Sequence, residues 1–190
     1  MKDIFRCFGN TPLYADYHDK EWGRPVHDDQ KLFEFLILEG AQAGLSWETV
    51  LKKRETYREA FDDFDPKKVA LYDEKKIEEL MLNSGIIRNR LKINSAITNA
   101  KLFLDIQKQY GSFDKFIWAY VDGKPIDTRV EKPEDWLATT PISDKISKDL
   151  KKMGFKFVGS TIIYAFMQAT GMVNDHLTKC FVYKELTDEQ

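Results

Sequence analysis

Asp28-Asp29-Gln30-Lys31-Leu32-Phe33-Glu34-Phe35-Leu36-Ile37-Leu38-Glu39-Gly40-Ala41-Gln42-Ala43-Gly44-Leu45-Ser46-Trp47 is the stretch on which the reading of the fold turns. Asp28-Asp29 offers an N-cap, and Leu32, Phe35, Leu36, Glu39 and Ala43 share one face of a helix. The spacing predicts a helix from Asp29 to about Ala43, stopped by Gly44. Glu39 then lies in the middle of the core-facing stripe, whereas Glu34 projects from roughly the opposite side, where a solvated acid belongs. Burying an unpaired carboxylate is costly, so Glu39 must find a partner, become neutral or face a cavity. A structural ion pair and a pocket are the two readings. Gln42 to Trp47 adds a helix stop, a flexible glycine, an exposed leucine and a tryptophan in one short turn.

Outward from this segment the same signals recur. Ser46 caps a helix expected to run to Phe61; Asp65-Pro66 starts a short one; Asp73 opens another to about Leu82, broken by Asn83-Ser84-Gly85. A long helix is predicted from roughly Ile87 to Tyr110 and a shorter one from Ser112 to Val121. Residues 122–141 are the least regular part. Ser143 then caps a helix to about Met153, and Ser160–Thr170 forms another, closed by Gly171. Sustained period-two alternation is absent, so no sheet is expected. The fold class is all-α, with residues 1–190 forming a single domain.

The 190 residues, 43% hydrophobic and 32% charged, suit a folded chain rather than a disordered one. No apolar run approaches the roughly 18–20 residues of a membrane helix, and the N-terminus lacks a signal-peptide core. A cytoplasmic location and no membrane partner are expected. The formal net charge of −2 excludes an overall basic field. Lys145, Lys148, Lys151, Lys152 and Lys156 nevertheless cluster against one acid, Asp149. That is a solvated helix face or a DNA-facing one.

Two cysteines are too few for a disulfide framework. Cys7 and His18 sit near one end of the chain, His176 and Cys180 near the other. A helical turn would put His176 and Cys180 on one face, and a loop can bring Cys7 to His18, giving a closed Cys2His2 zinc site that joins the termini. The alternative is two unrelated thiols and two unrelated imidazoles. His27, without a partner, reads as a surface residue. Tyr14, Tyr17 and Trp22 flank His18, and Trp47 follows the misplaced glutamate. Aromatics are usually core, but beside a carboxylate they also describe a box for a flat, electron-poor ring. A metal on His18 would fix the adjacent Tyr17.

Lys151-Lys152-Met153-Gly154-Phe155-Lys156-Phe157-Val158-Gly159-Ser160-Thr161 joins two helices through a turn bounded by glycines. Free N–H groups at the start of the second helix, with lysines alongside, can hold a phosphate; a generic helical corner is the plainer reading. Asn83–Arg88 is a weaker corner of the same kind.

Taken together, Tyr14…Tyr17-His18-Asp19…Glu21-Trp22-Gly23, Leu38-Glu39-Gly40…Gln42-Ala43-Gly44-Leu45-Ser46-Trp47, Gly85-Ile86-Ile87-Arg88, Gly154–Gly159 and Val173-Asn174-Asp175-His176…Cys180 resemble the bacterial 3-methyladenine DNA glycosylase I family, in its order and over nearly the whole chain. The resemblance implies a fold of the helix-hairpin-helix DNA glycosylase superfamily. It implies one structural zinc on Cys7, His18, His176 and Cys180. Glu39, Tyr17, Trp47, Tyr14 and Trp22 would bind the flipped methylated base, with Glu39 the residue carrying catalysis. Gln42, Gly44 and Leu45 would probe the duplex, and Lys156, Gly159, Ser160 and Thr161 would anchor it. Two departures stand out. The family's tryptophan two residues after the first cysteine is missing in Cys7-Phe8-Gly9-Asn10, leaving Phe8 as the candidate substitute. Asn174 stands where related superfamily enzymes place an aspartate, an absence this family shares.

The activity implied is hydrolytic release of 3-methyladenine from alkylated double-stranded DNA by a monomer. Methylation leaves the purine positively charged and its sugar bond weak, so a modest apparatus suffices. With Ser160 and Thr161 after the hairpin glycine and no lysine, strand cleavage through a Schiff base is not expected. The rivals are a non-catalytic zinc-stabilised DNA-binding module and a zinc-stapled interaction scaffold.

Overall fold

The computed structural model describes residues 5–188, which are mostly helical. The elements are α1 (Pro12–Lys20), α2 (Asp29–Gln42), α3 (Trp47–Leu51), α4 (Arg54–Ala60), α5 (Pro66–Val69), α6 (Glu74–Leu82), α7 (Arg90–Tyr110), α8 (Phe113–Trp118), β1 (Ile126–Asp127), α9 (Pro141–Met153), α10 (Ser160–Ala169), β2 (Val173–Asn174) and α11 (Phe181–Asp188). Among the described residues no helix is long and apolar enough to cross a membrane.

Helix α2 is the axis of the molecule. Asp28 caps it through its side chain, and every residue from Leu32 to Ala41 is buried, because α3, α7, α8 and α10 pack around it. A helix enclosed on all sides has no solvent face. That corrects the reading of Glu34, which is buried rather than solvated. Its Oε1 accepts from Arg54 Nε at 2.6 Å and Arg58 Nε at 2.9 Å, and Arg54 also reaches Glu21 at 2.8 Å. Removing one partner of such a pair leaves a buried charge uncompensated. Glu34→Ala is expected to cost about 3–5 kcal/mol in urea unfolding, with the affinity for any ligand of the cavity described below unchanged.

The helix expected over Ser46–Phe61 is split. Lys53 N bonds to Val50 O rather than to its i−4 carbonyl, and the break turns Arg54 inward onto Glu34. The long helix begins at Arg90, capped by the Asn89 side chain, and α9 is capped by Thr140, with Ser143 as the reciprocal partner of a capping box. The sheet not expected is a two-residue parallel ladder, Ile126↔Val173 and Asp127↔Asn174, which satisfies backbone groups of the irregular segment. Helices α1 and α11 add to the predicted set. His27 is exposed yet not partnerless: its Nδ1 lies 2.7 Å from Asp114 Oδ1. At the corner before α7, a Cβ on Gly85 would come within 2.3 Å of Thr56 Cγ2, so packing explains that glycine.

The turn between α9 and α10 is pinned to the core. Gly154 ends α9 at φ +104°, a left-handed cap that favours glycine. Phe155 and Val158 are buried. Asn99 of α7 clamps Lys156, donating to its carbonyl at 2.9 Å and accepting from its N–H at 2.8 Å. Ser147 Oγ donates to Val158 O at 2.6 Å. Gly40 of α2 lets Phe157 approach so closely that a Cβ there would lie 3.2 Å from Phe157 Cβ. The turn is thus docked one residue from Glu39.

Candidate active site

A cavity of about 320 Å³ opens between α1, α2, α3 and α10, within the range of small-molecule sites. Helix α1 contributes Tyr14 and Tyr17, one turn apart, with Phe8 before it and Trp22 after it. Helix α2 contributes Glu39 and Gln42, again one turn apart, and Trp47 enters at the start of α3, which Ser46 caps. Trp136 and Leu137 of the irregular segment and Ala165 and Gln168 of α10 complete the wall. The rings are ordered against one another: Tyr17 and Trp47 lie 5.4 Å apart between centroids, Tyr14 and Tyr17 6.4 Å at 15°, and Phe8 and Tyr14 4.7 Å. The two indoles Trp22 and Trp47 are buried.

Glu39 is 4% exposed, and no arginine, lysine or hydrogen-bond donor among the described residues reaches its carboxylate. The arginines lie with Glu34 instead. Burial alone pushes the Glu39 carboxyl up to about 8, so it is mainly neutral at pH 7 in the open cavity. Burial, and then the neighbouring Glu39, push the Tyr17 phenol upward as well, which keeps it neutral. The site therefore joins a desolvated acid without a counter-ion to the faces of several aromatic rings. Such a box is short of one thing, a flat cation.

The expected probe and anchor residues take different positions. Gln42 lines the cavity; Gly44 turns at φ +80° with open space around its Cβ position, and Leu45 is 42% exposed. Lys156 is exposed and Thr161 stands at the surface. Helix α10 starts without a side-chain cap. Gly159 has φ −60° and nothing within 4 Å of its Cβ position, so neither backbone nor packing within the protein calls for glycine. Its effect is to leave the first N–H groups of α10 open. Ser160 Oγ lies 2.9 Å from Ser143 Oγ.

Beside the cavity the chain's two ends meet. One donor atom from each of Cys7, His18, His176 and Cys180 lies within 4.8 Å of the others. The edges measured are Cys7 Sγ–His176 Nδ1 at 3.6 Å, Cys180 Sγ–His18 Nε2 at 3.5 Å and Cys180 Sγ–His176 Nδ1 at 3.7 Å. Metal–sulfur and metal–nitrogen bonds of about 2.3 and 2.0–2.1 Å place the donors of a tetrahedron roughly 3.3–3.8 Å apart. The four residues fit a metal ion. The free ring nitrogens are already engaged: His18 Nδ1 meets Asp19 Oδ1 at 2.8 Å, and His176 Nε2 donates to Trp22 O at 2.9 Å. Arg6 holds Asp19 in turn. Such outer contacts fix tautomer and ring orientation at metal sites. The hydrogen bond from Cys7 is the largest influence holding the Cys180 thiol below its usual range. His176 and Cys180 meet in a turn closed by Cys180 N to Leu177 O, not on a helix as their spacing suggested. Gly23 is explained by the same cluster, since a Cβ there would lie 2.8 Å from His176 Nε2.

Sequence reasoning missed Trp136, Leu137, Ala165 and Gln168 as cavity residues. Trp136 and Leu137 stand in a segment without periodicity. Ala165 and Gln168, one turn apart on α10, carry a local signal but nothing that ties it to Glu39. Asn174 is buried, with Nδ2 unpartnered and Oδ1 accepting from His176 N at 3.3 Å.

The chain matches the methyladenine glycosylase family over residues 7–183. It is 52% identical over 177 residues to a Haemophilus influenzae protein named DNA-3-methyladenine glycosylase, covering 92% of this chain and 96% of that one. A crystal structure of a 3-methyladenine DNA glycosylase I superposes with a TM-score of 0.91 at 52% identity, over 93% of this chain and 98% of the other. The Staphylococcus aureus 3-methyladenine DNA glycosylase I, solved for its recognition of 3-methyladenine, superposes with a TM-score of 0.89 at 43% identity, over 91% and 92% of the two chains. With the family match running from the first cysteine of the Cys2His2 cluster past its last, this chain belongs to the methyladenine glycosylase family.

Proposed function

We propose that the protein is a monofunctional enzyme of base-excision repair. It hydrolyses the N-glycosidic bond of 3-methyladenine in alkylated duplex DNA, releasing the free base and leaving an abasic site. The observation that carries this reading is Glu39, a buried acid with no cation of its own in a cavity walled by Tyr14, Tyr17 and Trp47. A pure DNA-binding module or an interaction scaffold has no use for that arrangement.

The α9–turn–α10 unit acts as a helix-hairpin-helix anchor, with the uncapped start of α10 on a phosphate and Lys156 beside it. Leu45, at the tip of the Gln42–Ser46 turn, enters the space vacated by the flipped nucleotide. The flipped 3-methylated purine is a cation. It stacks on Tyr17 and Trp47, each cation–π contact worth roughly 0.5–2 kcal/mol, and its arrival draws the proton off Glu39, whose carboxylate accepts from the purine's amino edge. Neutral adenine gains neither term. As the C1′–N9 bond breaks, its electron pair returns to N9 and the base leaves neutral. Positive charge passes to the sugar, water adds to C1′, and a proton goes to solvent. Among the described residues no lysine lines the cavity, which supports hydrolysis without a Schiff base.

Cys7, His18, His176 and Cys180 would hold one structural zinc ion, which would tie the two ends of the chain together beside the cavity. The reading includes action as a monomer in a reducing cytoplasm, where Cys7 and Cys180 stay available to a metal instead of forming disulfides.

Incubation with alkylated DNA and chromatography of the released bases tests the reading. Free 3-methyladenine is expected, with unnicked strands; no released base refutes it. Leu45→Ala should lower excision from duplex DNA roughly tenfold, the worth of about 1–2 kcal/mol of buried apolar contact, without altering affinity for the free base in a direct titration.

A further inference from the structure

Gln168 enters the cavity from α10, away from the α2 helix that carries Glu39. Its amide is not free to turn. Nε2 donates to Asp175 Oδ2 at 2.7 Å, and that same oxygen accepts from Tyr164 OH at 2.7 Å, while Asp175 Oδ1 accepts from Thr128 Oγ1 at 2.6 Å. Asp175 is buried with no cation within salt-bridge reach among the described residues. Because the amide meets Asp175 Oδ2 through Nε2, beside the Tyr164 hydroxyl on the same oxygen, its own oxygen faces elsewhere. Gln168 Oε1 has no partner within the described protein and is not among its buried, unsatisfied atoms, so it is the open acceptor of this residue. Asp175 also anchors a second cavity residue, since Trp136 Nε1 donates to its backbone carbonyl at 2.8 Å. The wall is built around an acceptor held in one orientation.

From this geometry we infer that Gln168 is a specificity-determining residue that accepts the second N–H of the purine's exocyclic amino group, the first going to Glu39. The inference rests on the base-binding role proposed for this cavity. An amino group has two hydrogens to place, and a site with an acid on one wall and an amide oxygen held in orientation on another can satisfy both. A purine with a carbonyl at that edge, such as 3-methylguanine, would set oxygen against oxygen and be disfavoured.

The test is a cycle of two proteins and two ligands, read as equilibrium affinities. The ligands are 3-methyladenine and 3-methylpurine, which lacks the amino group; the proteins are the native chain and Gln168→Met. Gln168→Met is expected to lose about tenfold in affinity for 3-methyladenine, the worth of one buried hydrogen bond, and little for 3-methylpurine. The preference of the native protein for the aminated ligand shrinks by the same factor. Loss of packing alone would weaken both ligands equally and leave the ratio unchanged, and that result overturns the inference. If Gln168→Met does not unfold cooperatively, Gln168→Ala is carried through the same cycle. A native protein that neither binds 3-methyladenine nor releases it from DNA sinks the functional reading instead, and the two failures are told apart by that control.

Discussion

Glu39→Gln should bind abasic-site DNA as the native protein does, yet lose roughly 100-fold in kcat/KM for 3-methyladenine excision, the equivalent of about 2–3 kcal/mol of charge-assisted hydrogen bonding. The argument starts from the environment of the carboxyl. No described residue around it supplies positive charge, and burial pushes its pKa up to about 8. The native site must therefore lose a proton when the fixed cation of the damaged base arrives. Because kcat/KM reports the free enzyme, it should climb with pH and level off above about 8 in the native protein. It should stay flat in the variant over that range.

Stability should move the other way. The folded state holds the Glu39 proton between the ordinary carboxylate range and about 8, where the unfolded chain has released it. Folding stability is thus fully present at low pH and declines as pH rises through that window. Glutamine removes the decline, so Glu39→Gln should unfold at a higher temperature than the native protein at pH 8. A purely structural glutamate would show neither the pH limb nor this opposition of stability and activity.

The second large effect concerns the joined ends. Cys180 belongs to a small core of its own, with Val130, Leu177, Val182 and Leu186, against which Cys7 and Trp136 pack. This core has few apolar side chains, and the Cys2His2 cluster ties it to α1 through His18. Cys180→Ser is expected to reduce metal content from one equivalent to near zero in elemental analysis. Tm should fall by on the order of 10–15 °C, taking the loss as about 4 kcal/mol, well below the binding energy of structural zinc in small domains. Base binding should weaken too, because His176 holds the Trp22 carbonyl and His18 lies beside Tyr17 in α1. A variant with native Tm and no metal would contradict the structural role.

What could be read from the chain, and what could not, divides along physical lines. The burial of Glu39 was legible because its place in an apolar stripe is a local fact, and the Cys7, His18, His176 and Cys180 cluster because those residue types are scarce. Glu34 was not, since the stripe argument assumes a solvent face and α2 has none. Helix α1 buries only Tyr17 and His18, so it carries no stripe, although Thr11 and Pro12 form an N-terminal signal. The wall of Trp136 and Gln168 depends on Asp175, which meets them only in the folded chain. The Asn99 clamp on Lys156 spans 57 positions and has no signature in either segment.

Calorimetric titration of the native protein at pH 7, in buffers of different ionisation enthalpy, counts protons exchanged on binding. The ligand is 3,9-dimethyladeninium, a fixed cation that cannot be cleaved. Close to one proton should be released per site, and none from Glu39→Gln. Tight binding with no proton released by the native protein would mean that the acid at position 39 does not ionise to receive the charged base.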